Sequence, residues 1–98
     1  MDIVIFVETK NYQRLREILL GDDVVSRASL IFKDAKILTG REGYFCYISG
    51  TEEQCKKVLG LVKGLAKEIK DKEKDDIINK IREEEETATR GFGYIFKY

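Results

Sequence analysis

The sequence predicts an α+β fold, a two-layer sandwich in which a mainly antiparallel sheet of four strands carries helices on one face. Three observations lead there. Short apolar runs rich in β-branched and aromatic residues recur at Ile3–Val7 and Tyr44–Ser49. Apolar residues at helical spacing fill the stretches that follow them. Glycines punctuate the boundaries. The chain of 98 residues is of single-domain length, so residues 1–98 are expected to form one α+β domain. At that size folding hides about 60–65% of the chain's surface, enough for one modest core.

Asp2–Glu8 reads as a buried first strand. Thr9 or Asn11 can cap the next element, where Tyr12, Leu15, Ile18 and Leu19 recur at helical spacing up to Gly21. Asp22–Leu38 is compatible with strand or helix, and the favoured reading is a strand over Ser29–Leu38. Thr39–Gly43, with glycines at both ends, turns the chain into Tyr44–Ser49, and the pair reads as a hairpin. Thr51 with Gln54 three residues on is a capping-box arrangement. The apolar stripe Cys55, Val58, Leu59, Val62, Leu65, Ala66 and Ile69 predicts a helix behind it. Ile77, Ile78, Ile81 and Ala88 extend the helical pattern, so Thr51–Arg90 is either one bent helix or two. The alternation of Gly91–Tyr98 predicts a final strand. The resulting order, β-α-β-β-α(α)-β, resembles the ferredoxin-like fold, which implies central first and third strands and a fourth at the edge beside the first.

Composition narrows the setting. Lys+Arg and Asp+Glu are 18 each, a zero formal net charge that argues against a dedicated nucleic-acid binder. Four amides, no His and an abundance of Lys and Glu suggest a thermophilic source, although the absence of Pro does not fit that pattern. The longest apolar run, Ile3–Val7, is far below the roughly 20 residues of a membrane helix, and no basic leader precedes it, so a cytoplasmic location is expected.

The chain's end raises the sharpest question. Arg90, Gly91, Phe92, Gly93, Tyr94 and Ile95 resemble, in order, the first six positions of the third-strand motif of the RNA recognition motif family. Lys97 departs from the eighth position, where an aromatic belongs. The family carries this motif at the sheet centre with a helix and strand after it, whereas here it ends the sequence. The resemblance covers nine residues and otherwise only the fold class. Its implication is single-stranded RNA stacked on the aromatic rings.

Period two sorts the strands into faces. Ile3, Ile5, Val7, Cys46, Ile48 and Ile95 are assigned to the helix-covered side. Phe6, Phe45, Tyr47, Phe92, Tyr94 and Phe96 then line the other, uncovered side, with Arg90 nearby. A bare aromatic patch of this size calls for a partner. The favoured partner is a second copy in a homodimer, and RNA is the alternative. No cofactor, metal or catalytic residue is assigned, and the expected class is a non-enzyme. Cys46 and Cys55 read as small buried hydrophobes rather than a disulfide or, without His, a zinc set. Glu83–Glu86 wraps a full helical turn and reads as a solvated face. Thr39–Gly43 lacks the Lys-Ser/Thr ending of a phosphate-binding loop.

Overall fold

The computed structural model describes the backbone of residues 1–96 and the side chains of residues 1–84. The first strand, β1 (Asp2–Val7), leads into helix α1 (Thr9–Gly21) and a single 3-10 turn at Val25–Arg27. Then come β2 (Ser29–Asp34), the short helix α2 (Ala35–Thr39), β3 (Tyr44–Ser49) and α3 (Glu52–Leu61). The fourth strand, β4 (Ala66–Ile69), and the long helix α4 (Asp71–Phe96) complete the order. The sheet runs β2-β3-β1-β4 with every neighbouring pair antiparallel. The fold is therefore α+β around a four-stranded antiparallel sheet, with β1 and β3 central and the fourth strand beside β1.

Local chemistry explains most boundaries. β2 stops at Asp34 because the Asp34 carboxylate accepts a hydrogen bond from the Lys36 backbone N–H (2.8 Å), capping α2. Gly40 then closes α2 in the left-handed region at φ 75°. Gly43 (φ 126°) lies against β1: a Cβ there would sit 2.6 Å from the Phe6 ring and 2.7 Å from the Val7 carbonyl oxygen, so only glycine fits. At α3 the capping box is complete. Gln54 N–H donates to Thr51 Oγ1 (3.1 Å), and Thr51 N–H donates to Gln54 Oε1 (2.9 Å).

Three expectations need correction. The strand expected over Ser29–Leu38 ends at Asp34, and Ala35–Thr39 forms α2 under the Asp34 cap. The helix expected through Ile69 ends at Leu61; Gly64 takes φ 84°, and Ala66–Ile69 becomes β4. The strand expected over Gly91–Tyr98 is not formed: the backbone of α4 is helical through Phe96, and Lys97 and Tyr98 lie outside the described residues. The physical reason is occupancy. Ala66–Ile69 already holds the position beside β1, pairing Val4 with Ile69 and Val7 with Ala66. Thr51–Arg90 is thus two helices separated by a strand.

The face assignment holds for β1 and β3. Ile3, Ile5, Val7, Cys46 and Ile48 pack with Leu15 and Leu19 of α1 and with Cys55 and Val58 of α3. Val4, Phe6, Phe45 and Tyr47 share the opposite face. That face is not open. Ile77, Ile78 and Ile81 of α4, spaced at one and three residues on one side of the helix, close over it, with Ala35 and Leu38 of α2 at its margin.

Candidate functional site

The rings proposed from sequence as an exposed platform divide into two groups. Phe6, Phe45 and Tyr47 do come together on one face, with the Phe6 and Phe45 centroids 5.4 Å apart. They are only 9%, 1% and 8% exposed, because α4 covers them. The Tyr47 hydroxyl donates to Asp2 Oδ2 (3.0 Å) and accepts from the Arg82 guanidinium of α4 (3.4 Å). Arg90, Phe92, Tyr94 and Phe96 fall on the helical backbone of α4, and their side chains lie outside the described residues. The premise of an uncovered aromatic face is corrected accordingly: a helix not foreseen there satisfies within one chain the need for cover.

Open surface is found instead at a sheet edge. Met1 and Gly50 exchange two backbone hydrogen bonds, Met1 N to Gly50 O (2.9 Å) and Gly50 N to Met1 O (3.0 Å). Antiparallel pairs alternate, so Ile3/Ile48, Ile5/Cys46 and Val7/Tyr44 are also hydrogen-bonded pairs. Phe45, Tyr47 and Ser49 must then turn their amides and carbonyls toward β2. Ala35 N–H donating to Gly43 O (2.9 Å) continues the same phase. In β2 it follows that Ser29, Ile31 and Lys33 bond to β3. Leu30 and Phe32 direct N–H and C=O, and Asp34 its N–H, outward to an edge with no strand beside it among the described residues; the Asp34 carbonyl, at the N-cap of α2, is taken by that helix. Leu30, Ile31 and Phe32 are half-buried by their neighbours. Tyr12 of α1 meets Phe32 edge-on at 5.9 Å and stacks on Tyr44 at 3.7 Å, while the Arg16 guanidinium lies 5.8 Å over Phe32. These contacts hold the edge strand rigid against the sheet's helical side.

A second open feature is a pair of adjoining clefts at the C-terminal end of β1, about 510 and 540 Å³. They share Phe6, Glu8, Lys10 and Arg41, and the larger lining extends to Leu65, Ala66 and Lys67. The Arg41 guanidinium sits 4.2 Å over the Phe6 ring. Lys10 pairs with Glu8 at 3.4 Å. Glu8 occupies the N-cap of α1 without making a side-chain cap.

Other reactive groups are sequestered. Cys46 and Cys55 are free and buried; burial pushes the Cys46 thiol up to about 12 and raises that of Cys55 as well. The Ser49 hydroxyl bond to Asp2 Oδ1 (2.8 Å), assisted by Tyr47, holds the Asp2 carboxyl below its usual range although burial pulls the other way. Among the described residues no group of three or more His, Cys, Asp or Glu converges to hold a metal, and no helix is long and apolar enough to cross a membrane.

Sequence reasoning missed both the Arg41 cleft and the β2 edge. The signal for that edge was the sequence Ser29–Asp34 itself, a strand with an apolar centre at Leu30–Phe32 and no Pro or Gly. Compared with known proteins, the chain matches no family model, no curated protein and no solved structure.

Proposed function

We propose that the protein is a self-associating, non-enzymatic module that forms a homodimer by pairing β2 with β2 of a second copy. The observation that carries this reading is the outward N–H and C=O groups of Leu30 and Phe32 on a six-residue edge strand whose centre, Leu30–Phe32, is apolar. Strands of this kind template pairing with another chain. The expectation of self-association is kept, and the surface moves from the closed aromatic face to the open edge. A two-fold axis at Ile31 sets Leu30 beside Phe32 of the second copy, forming two hydrogen-bonded pairs with apolar side chains matched. An axis at Phe32 instead sets Asp34 against Leu30 and Lys33 against Ile31, polar against apolar. The first register is therefore favoured. Ile37 of α2, which follows β2 directly and is 72% exposed, adds apolar surface at that end. The assembled sheet has eight strands.

Within this reading the β-α-β-β-α-β core is ferredoxin-like, a two-layer sandwich to which α4 is added as a cover. A cytoplasmic location and a thermophilic source are retained from the composition. The RNA alternative needs bare rings, and Phe6, Phe45 and Tyr47 are covered.

The test uses the non-hydrogen-bonded pair at the axis, where Cα atoms approach to about 4.5 Å, within disulfide range. Mild oxidation of Ile31→Cys is expected to give a covalent dimer, and Lys67→Cys on β4 is expected to stay monomeric on a non-reducing gel. Equal cross-linking of both variants, or of neither, contradicts the proposed edge.

A further inference from the structure

We propose that the cleft at the C-terminal end of β1 binds a small phosphate-bearing ligand, an activity independent of assembly at β2. Three cations reach it from three separate segments: Lys10 from α1, Arg41 from the α2–β3 turn and Lys67 from β4. The carboxylates are unevenly placed. Glu8 is tied to Lys10 at 3.4 Å, and Glu42 lines only the half of the cleft away from β4. The β4-side half therefore presents Arg41 and Lys67 across a floor of Phe6, Leu65 and Ala66, with the paired Glu8 and Lys10 at its margin.

Arg41 is held in place. Its guanidinium lies 4.2 Å over Phe6, and Gly43 keeps the turn pressed on the same ring. A guanidinium held over an aromatic ring keeps N–H donors for an anion, with less ordering left to do on binding. Cations converging from different directions suit a tetrahedral, multiply charged phosphate better than a single planar carboxylate. The apolar floor leaves room beside it for a flat or aliphatic remainder of the ligand.

Calorimetry at low salt with inorganic pyrophosphate, ADP and a mixed RNA oligonucleotide tests the site. One-to-one binding of pyrophosphate, ADP or both is expected, pyrophosphate alone pointing to free phosphates and ADP alone to nucleotides. Arg41→Ala and Lys67→Ala should each weaken that binding about tenfold, whereas Lys56→Ala on α3 should leave it unchanged. Because Arg41→Ala also uncovers Phe6, Arg41→Gln, which keeps a flat polar group over the ring, should show the same loss. Binding by the oligonucleotide alone, no binding of pyrophosphate or ADP at millimolar concentration, or unaltered affinity in the Arg41 and Lys67 variants overturns the proposal.

Discussion

The two edges of the sheet are built differently. β2 runs six residues and turns three of them, Leu30, Phe32 and Asp34, toward open space. β4 runs four, and because Val4 and Phe6 direct their backbone groups to Ile69 and Lys67, only Ala66 and Glu68 face outward. The Ala66 N–H is already given to the Val62 carbonyl (3.0 Å), and Glu68 carries a charge that pairs with Lys70 at 3.7 Å. The β4 edge is short, with one of its two outward N–H groups taken and a charge at the other; the β2 edge is longer and apolar over Leu30–Phe32, with its charges Lys33 and Asp34 at the end that leads into α2. Proteins blunt edges they do not use, by shortening them and charging them. The contrast teaches that β4 is terminated and β2 is left available.

The largest effect should come from proline, which removes an N–H without touching the inner ladder when placed at an outward position. Leu30→Pro is expected to weaken dimerisation at least about 100-fold, roughly the loss of two or more inter-chain hydrogen bonds together with edge shape. Glu68→Pro, the equivalent change on β4, should leave assembly unaltered, and Leu30→Ala should weaken it far less than Leu30→Pro. Analytical ultracentrifugation reads all three, and parallel losses in the two proline variants would erase the distinction between the edges.

The next effect separates the closed aromatic face from the open edge. Ile81, on the sheet-facing side of α4, is 1% exposed, so Ile81→Ala should cost about 2–5 kcal/mol of stability in urea unfolding. The dimer mass of the folded fraction should be unchanged. If uncovering the aromatic face drove association, the same variant would instead form larger assemblies.

Smaller and more local is hydrogen exchange. The amides of Leu30 and Phe32 should become protected as concentration rises, while the Glu68 amide exchanges at one rate throughout. The smallest effect concerns pH. Asp2's folded value is held below its ordinary 3.8, so its stabilising contribution is full above that value and is lost as pH falls through the lower folded value. Asp2→Asn should therefore flatten the acid limb of stability without altering either edge, as urea midpoints at pH 6 and pH 3 would show.

The sequence made the central pair of strands legible because β1 and β3 are buried on both faces and dense in β-branched and aromatic residues. Their division into two faces, Ile5 with Cys46 on one and Phe6 with Phe45 on the other, follows from simple alternation, whereas the register that pairs them is seen only in the sheet. The Thr51–Gln54 cap was legible for the same local reason. β4 was not. Ala66–Ile69 offers little apolar content of its own, and its Ala66 and Ile69 continue the helical spacing of Cys55–Val62. Only Gly64, in a left-handed turn, marks the break. The terminal Gly91–Phe96 segment misled in the opposite direction: its local alternation is strong, but the place beside β1 was taken. The helical spacing of Ile77, Ile78 and Ile81 was legible, but all helices were assigned to one face of the sheet, so the aromatic face was read as bare and the β2 edge drew no attention.

The central claim is that β2 joins two copies. Light scattering of the wild-type chain across micromolar concentrations tests it most directly. The account predicts a mass of twice the 11.3 kDa chain, reduced to a single chain by Leu30→Pro. A wild-type mass of one chain at every concentration, or a dimer that persists undiminished in Leu30→Pro, would contradict it.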